Sequence, residues 1–320
     1  MPIEAASKKR ITFDASGLMP FADGDLLLGA TDLNNPEDDH AGDGRIFQFD
    51  KDFNFKGMTI TEGSTHLVMG LLFSPENVLW AFDTAEHLVM QFGADGQRLP
   101  NRKLPFRPWS SACFDSEGHA YLYEHITGTM ADVPEKYRSM KRNMPGSDRI
   151  GDGNVYKYNS AGELLDTYQT ETSTSFAGYL GVTSCSLHPS EEYITYTTET
   201  SKRIMRYDII HHKQMPDLVC LPEDQREFVF CLNYAKNGSL LVTRGAKIEV
   251  IDEDGKVART YPLEGPGWAT IKESCDQKHI LVSNFFDGTL LKIKKESGET
   301  VGSCNVQVER SLAGFAEFSM

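Results

Sequence analysis

RIFQFD (45–50) is the first of six short segments in which apolar and polar residues alternate. The other five are HLVMQF (87–92), NVYKYN (154–159), RIMRYD (203–208), KIEVID (247–252) and LLKIKK (290–295). Alternation with a period of two residues is typical of a strand with one buried face. The segments start 42, 67, 49, 44 and 43 residues apart, which indicates a repeat of roughly 45 residues.

Each repeat contains four strands. A tight turn ending in Gly follows most of the six segments, as in DEDG (252–255), and a further strand follows that turn. Two more strands precede each segment, as in GLLFSPENVLWAFD (70–83) and CLNYAKNGSLLVTR (231–244). Four strands per repeat are the blade of a β-propeller, so six repeats predict an all-β, six-bladed propeller.

The first blade lacks an obvious innermost strand. DLLLGATD (25–32), RIFQFD and FKGMTI (55–60) supply its outer three strands. SLAGFAEFSM (311–320) reads as an innermost strand with no blade behind it, whereas ITFDASG (11–17) is a weaker candidate. We therefore expect the C-terminus to complete the N-terminal blade, which removes an open sheet edge. The whole chain, 1–320, is then one propeller domain.

Composition restricts the classes of partner. The net charge of −14 argues against nonspecific binding to nucleic acid or to an anionic membrane. The N-terminal MPIEAASKKRITFD has no apolar core of a secretory signal, and no apolar run is long enough to span a membrane. A cytoplasmic location with all six cysteines as reduced thiols is expected, while the oligomeric state is left open.

Two stretches resemble known propeller families. FDTAEHLVMQFGADG (82–96) resembles an NHL repeat, and HPSEEYITYTTETSKRIMRYD (188–208) is similar to a blade of the SMP-30/gluconolactonase and strictosidine-synthase-like propellers. The likeness covers residues 67–300 and implies a propeller that acts as a lactonase-like hydrolase or a lyase. Hydrolytic members of that superfamily hold a divalent cation through Glu, Asn and Asp at the channel mouth.

Two positions of that cation site are changed in this chain. Aligned on the family pattern, Thr183 replaces the Asn and Phe230 replaces the Asp, and neither suits a hard cation that needs oxygen ligands. The calcium-lactonase ligand set is therefore not matched, and the cofactor stays unknown. A divalent cation held elsewhere remains an alternative, for example in the acidic loop formed by Asp32, Asn34, Glu37, Asp38, Asp39, His40 and Asp43.

The site is expected on the face that carries the loops joining strand 2 to strand 3 and strand 4 to the next blade. Both long insertions, 33–44 and HITGTMADVPEKYRSMKRNMPGSDRIGDG (125–153), join strands 2 and 3. Insertion 125–153, with a predicted helix over 132–142, is interpreted as a lid. The polar ends of the second strands lie on the same face: Asp32, Asp83, Glu124, Glu199, Arg244 and Asn284.

We predict a small-molecule enzyme, a hydrolase or lyase, at an aromatic-lined channel mouth. Proton transfer is assigned to His66, His125 and Glu124, with Arg244 stabilising an anion. The predicted substrate-binding residues are Trp109, Tyr179, Phe228, Trp268, Glu199 and Asn284. The alternative is a structural role: the aromatic residues would pack between blades, and the polar residues would hold the loops in place. The rival function is a non-catalytic scaffold, which should expose an apolar patch on this face.

Overall fold

The computed structural model describes residues 13–34, 42–61, 68–83, 86–126, 151–173 and 180–320. This part of the chain folds into six antiparallel sheets arranged as a six-bladed β-propeller, and it contains no helix. The fold predicted from the repeat is confirmed. The helix predicted over 132–142 and most of the proposed lid lie outside the described residues.

Blade 1 is built from both ends of the chain. Its strands, from the channel outwards, are β26 (Gly314–Glu317), β1 (Leu26–Leu33), β2 (Gly42–Phe49) and β3 (Phe55–Ile60). β26 pairs antiparallel with β1, from Leu26 opposite Glu317 to Gly29 opposite Gly314. The C-terminal strand thus closes the ring, as the sequence predicts.

Blades 2 to 6 follow in chain order. Blade 2 has β4 (Val68–Phe73), β5 (Leu79–Asp83), β6 (Leu88–Phe92) and β7 (Arg98–Leu99). Blade 3 has β8 (Trp109–Phe114), β9 (Ala120–Ile126), β10 (Val155–Tyr158) and β11 (Leu164–Tyr168), and β12 (Leu180–Gly181) pairs with the end of β9. Blade 4 has β13 (Ser184–Leu187), β14 (Tyr193–Thr197), β15 (Arg203–Asp208) and β16 (Lys213–Gln214), and β17 (Val219–Cys220) pairs with β15. Blade 5 has β18 (Val229–Tyr234), β19 (Leu240–Arg244), β20 (Lys247–Ile251) and β21 (Val257–Pro262). Blade 6 has β22 (Trp268–Glu273), β23 (His279–Asn284), β24 (Thr289–Lys294) and β25 (Thr300–Asn305).

Aromatic packing fixes the closing strand. Phe315 and Phe318 are buried, and the Phe318 ring lies 4.9 Å from Phe73 and 5.6 Å from Phe21. The N-terminal segment takes a different place from the one considered for it. The Gly17 amide donates to the Met58 carbonyl at 2.9 Å, so this segment lies beside the outermost strand of blade 1. The inner position is occupied by β26 alone.

Four inner strands share one irregularity near their first residue. The register shifts between Val68 and Gly70, Trp109 and Ser111, Val229 and Cys231, and Trp268 and Thr270. Each shift leaves one extra residue on the inner strand, which is a β-bulge. Bulges turn neighbouring side chains to a new direction, and here they do so at the wall of the central channel.

The loops that precede inner strands and the loops between second and third strands share one face. The Phe285 amide donates to the Gly267 carbonyl at 2.8 Å, and the Ser311 amide donates to the Phe285 carbonyl at 3.0 Å. We call this the loop face. No helix long and apolar enough to cross a membrane occurs among the described residues. All six cysteines lie within the described residues and are free thiols.

Candidate functional site

The inner strands surround a cavity of about 500 Å³ at the centre of the ring. All six blades contribute to its wall: Gly70 and Leu72 from β4, Ser111 and Cys113 from β8, Ser184 and Cys185 from β13, Cys231 and Asn233 from β18, Thr270 and Lys272 from β22, and Gly314 and Phe315 from β26. The volume is typical of a pocket for a small organic molecule. We call it the channel cavity.

The cavity wall contains one acidic and one basic residue. Among the described residues that line it, only Glu199 and Lys272 have side chains that are ionised by default. Glu199 follows β14 on the loop face, whereas Lys272 is near the far end of β22. The remaining polar groups are hydroxyls, thiols and one carboxamide. A bound molecule would therefore meet mostly neutral walls with one cation deep inside.

Lys272 reaches from blade 6 past Phe315 of blade 1 to blade 2. Its Nζ donates to the main-chain carbonyl of Leu71 at 2.7 Å and lies 5.6 Å from the centre of the Phe315 ring. The Leu71 carbonyl is on the inner edge of the innermost strand, where no further strand can pair with it. In the described part of the chain, Lys272 forms no ion pair with a carboxylate. The groups that act electrostatically on its pKa are the thiols of Cys231 and Cys275.

Burial makes the Lys272 amine unusually acidic. Desolvation lowers the pKa of Lys272 from its ordinary value to about 8, against a small opposing effect of the Cys231 and Cys275 thiols. An amine with this pKa is partly neutral near pH 7 and is therefore a base or a nucleophile under physiological conditions. Perturbed lysines of this kind are concentrated at functional sites.

Neutral donors and acceptors surround the amine. The Cys231 Sγ lies 3.3 Å from the Ser184 Oγ, and the Thr270 hydroxyl donates to the Ala313 carbonyl. Burial raises the pKa of the Cys231 and Cys185 thiols, and the hydrogen bond that the Cys185 thiol makes with Cys113 raises the pKa of Cys185 further. Because these thiols stay protonated, they supply polarity and transferable protons without pairing with the lysine charge.

Two phenylalanines border the opening of the cavity on the loop face. Asn284 accepts the Phe286 amide at 2.9 Å and donates to the Pro266 carbonyl at 3.0 Å, so it braces the Phe285–Phe286 turn. Gly267 has a φ of 99°, and a Cβ at this position would meet the Phe286 ring. Phe286 is 47% exposed. An apolar rim therefore leads into the cavity.

Glu124 and His125, assigned to proton transfer from the sequence, are buried outside the channel cavity. Glu124 accepts the Tyr156 hydroxyl at 2.7 Å and the Asp152 amide at 2.8 Å, and it pairs with Arg107 at 3.2 Å. The His125 amide donates to the Pro108 carbonyl at 2.9 Å. These bonds tie the base of insertion 125–153 to the blade.

The His125 ring has a defined orientation. Its Nδ1 lies 2.9 Å from the Ser110 Oγ, and that hydroxyl donates its proton to the Val182 carbonyl at 2.7 Å. Since the Ser110 proton is used, Nδ1 must be the donor in the first bond. The ring therefore links blade 3 to the chain entering blade 4.

The other predicted residues are dispersed. Arg244 pairs with Glu249 at 2.5 Å and with Glu227 at 3.5 Å. Trp109 and Trp268 are buried in the packing between blades, because the bulge turns them away from the cavity. Phe228 lines a second, polar cavity of about 500 Å³ with Lys202, Arg203, Cys220 and Glu223. Glu199 lines the channel cavity, and Asn284 supports its rim. His66 and Tyr179 lie outside the described residues.

The two positions that align with the cation ligands of the gluconolactonase-like pattern face the channel. Thr183 and Phe230 both line the channel cavity, together with Glu199. The Thr183 hydroxyl donates to the Thr197 carbonyl at 3.2 Å, and Phe230 offers no ligand atom. In the acidic loop, Asp32 already pairs with Arg45 at 2.5 Å, and this ion pair would compete with a bound cation. Residues 35–41 of the loop lie outside the described part.

Sequence reasoning missed Lys272. The register places it at the same level as Leu72, Cys113 and Asn233, each four residues after the start of its inner strand. A lysine at a position that is apolar or neutral in the other blades is the signal that could have identified it. Phe285 and Phe286, directly after Asn284, were missed for a simpler reason, since they fall in a loop.

Comparisons with known proteins extend only to the fold. No protein-family model matches the chain, and no curated protein matches it. A chain from the crystal structure of a nidogen/laminin complex superposes with a TM-score of 0.60 at 10% identity, covering 93% of this chain and 99% of that one. A protein of unknown function from Bacteroides caccae gives 0.59 at 13% identity, covering 93% and 100%. A protein from Lactobacillus plantarum gives 0.55 at 16% identity, covering 93% and 100%. These likenesses show the six-bladed propeller and leave the resemblance to NHL and gluconolactonase blades a prediction.

Proposed function

We propose that this chain is a small-molecule enzyme, a hydrolase or lyase, whose substrate occupies the channel cavity. The observation that carries the proposal is Lys272. Its amine lies deep in a cavity of about 500 Å³, is bonded to a main-chain carbonyl instead of a carboxylate, and has a pKa lowered to about 8 by burial. A structural lysine on a protein surface has none of these features.

The proposed roles differ from those inferred from the sequence alone. Lys272 accepts or donates the proton in the reaction, and Glu199 meets the polar end of the substrate near the loop face. Glu124 and Asn284 position the loops around the opening through the bonds described above. Arg244 is held by Glu249 and Glu227, so it supports blade 5. His66 remains a further candidate for proton transfer.

The rival function has one observation in its favour. Phe286 is 47% exposed at the rim of the channel cavity, and Phe106 is 71% exposed on the loop between blades 2 and 3. Exposed aromatic side chains on a propeller face suit a non-catalytic role in binding another protein. This role needs neither an open cavity nor a neutral lysine, so the two functions respond differently to blocking the channel.

The test is a thermal-denaturation screen with lactones, esters, hydroxy acids, aldehydes and ketones, followed by NMR detection of turnover for each stabilising compound. An Ala269→Trp variant fills the cavity from the bulge of β22, and a Val257→Trp variant adds the same ring on the exposed outer strand of blade 5. Compounds should stabilise the wild type and Val257→Trp but not Ala269→Trp. Ligands that stabilise all three equally would refute a channel site.

A further inference from the structure

We propose that Lys272 captures a small aldehyde or ketone in the channel cavity as a Schiff base. The inference rests on the proposed function and makes it more specific. The substrate carries a carbonyl group, and the enzyme is a lyase and not a hydrolase. Nothing in the sequence patterns or in the fold comparisons assigns this role to Lys272.

The first support is the position of the amine. Nζ faces a cavity that is large enough for an organic molecule of several carbon atoms, and Phe315 forms an apolar wall beside it. The amine donates a hydrogen bond to a neutral acceptor, the Leu71 carbonyl, at 2.7 Å. A carbonyl compound can react with this amine without breaking an ion pair, because Lys272 forms none within the described residues.

The second support is the chemical state of the amine. Only a neutral amine attacks a carbonyl carbon, and burial lowers the pKa of Lys272 to about 8. At pH 7 about a tenth of such an amine is neutral, compared with about one part in 2,500 for an ordinary lysine. The neutral fraction is therefore about two hundredfold larger than for a lysine on the surface.

The reaction balances without an oxidant or a metal. The nitrogen lone pair forms a bond to the carbonyl carbon, the C=O π pair moves to oxygen, and oxygen takes the proton that nitrogen loses. The carbinolamine then takes up a second proton on oxygen and expels water as the nitrogen lone pair forms the C=N bond, and the resulting iminium nitrogen gives one proton back to the surrounding groups. The sum is amine plus carbonyl compound giving imine plus one water molecule.

The cavity holds groups that can relay these protons. The Cys231 thiol and the Ser111 and Thr270 hydroxyls line the same space as Lys272, and the Asn233 carboxamide offers a further hydrogen-bond donor there. The charge of Lys272 lowers the pKa of Cys231 against a larger rise caused by burial, which shows that the two groups interact electrostatically. Neutral relays of this kind leave the amine free of a counter-ion.

The competing explanation is a structural lysine that only satisfies the Leu71 carbonyl on the open inner edge of β4. It predicts that Lys272 is protected from reagents, whereas the Schiff-base proposal predicts that it is the most reactive lysine of the chain. Lys256 is a suitable internal reference, because its side chain is 75% exposed and forms a surface pair with Asp254.

The experiment uses the full chain, with butanal as the probe and sodium cyanoborohydride to reduce any imine, at pH 7. Peptide mass spectrometry then measures the gain of one butyl group at each lysine over time. Lys272 should be labelled at least about tenfold faster than Lys256, which leaves room for slower access to the cavity within the two hundredfold difference in neutral fraction. Ala269→Trp should abolish labelling of Lys272 and leave Lys256 unchanged.

The outcomes separate the two proposals. Labelling of Lys272 no faster than that of Lys256, together with a ligand that fails to stabilise Ala269→Trp, would overturn the Schiff base and leave the channel enzyme standing. The same slow labelling, in a protein for which no compound binds in the channel, would overturn both the Schiff base and the channel enzyme. Equal labelling of Lys272 in the wild type and in Ala269→Trp would place the reaction outside the channel and overturn the Schiff base. These comparisons within one folded protein do not depend on a Lys272 variant.

Discussion

Replacing Lys272 with methionine should stabilise the protein at neutral pH and should lose this gain at high pH. Methionine has a similar length and fills irregular apolar space well. In the wild type, folding moves a charged amine into a site where its pKa drops from 10.5 to about 8. At about 1.4 kcal/mol per pKa unit, this lowers the free energy of unfolding by about 3 kcal/mol below pH 8.

The sign of the pH dependence follows from proton binding. Between pH 8 and about 10.5 the unfolded chain holds a proton on Lys272 that the folded protein has lost, so wild-type stability rises with pH across this window. Methionine lacks this dependence but also loses the bond to the Leu71 carbonyl, which contributes about 1 kcal/mol. Lys272→Met should thus be more stable than the wild type by about 2 kcal/mol at pH 7 and less stable by about 1 kcal/mol above pH 10.5.

Urea denaturation at several pH values, in the presence of a reductant, measures this difference. Other titrating groups affect both proteins alike and cancel when the two curves are subtracted. The exposed Lys256→Met variant is the matched control and should stay close to the wild type throughout. A difference between Lys272→Met and the wild type that does not change with pH would refute the account of a buried, easily deprotonated amine.

Other predictions test the closure, the loop braces and the cation site. Phe315→Ala should lower the free energy of unfolding by about 3–5 kcal/mol in urea titrations, because this fully buried ring belongs to the closing strand, and a shift under 1 kcal/mol would argue against closure. Glu124→Ala should cost about 2–4 kcal/mol in the same titration, since it removes the buried acceptor of the Tyr156 hydroxyl and the Asp152 amide and leaves Arg107 paired with Asp152 alone, and wild-type stability would contradict a bracing role. Calcium and EDTA should each leave the melting temperature unchanged, given Thr183 and Phe230 in the cavity wall, and a rise with calcium that EDTA reverses would show a cation site. Exchanging residues 127–150 for a short Gly-containing turn should preserve the circular dichroism spectrum and reduce substrate binding, and full binding by this variant would remove the lid from the account.

The repeat was readable because propeller blades depend on local patterns. Alternating residues and Gly turns predict strands without knowledge of tertiary contacts, and these strands are present in all six blades. The closing role of 311–320 also follows from the sequence alone, since an unpaired inner strand and an incomplete first blade complement each other. The location of loops on one face was likewise predictable from strand order.

The side chains at the centre were less predictable because of the β-bulge. Counting by twos from Trp268 places Trp268, Thr270 and Lys272 on one face of β22. The register shift after Trp268 breaks this count, so Trp268 packs between blades while Thr270 and Lys272 reach the cavity. The same shift displaces Trp109 from the predicted aromatic mouth. A one-residue insertion in the strand is not visible in a binary pattern of apolar and polar residues.

The polar ends of the second strands illustrate a different limit. Their common face was predicted correctly, but their partners depend on loop backbones that the sequence does not position. Glu124 accepts the Asp152 amide and Asn284 accepts the Phe286 amide, so both brace loops around the channel. Whether a carboxylate or an amide faces a ligand or a main-chain N–H is decided by the turn that follows it.

The central claim is that a small molecule binds inside the channel beside Lys272. The most direct measurement is a crystal structure of the full chain with a compound that raises its melting temperature. We expect the compound to lie in the channel cavity, between the Phe285–Phe286 rim and Lys272. It should contact Nζ or be covalently joined to it. A stabilising compound bound in the second, polar cavity that Phe228 lines, with the channel cavity empty, would contradict binding in the channel.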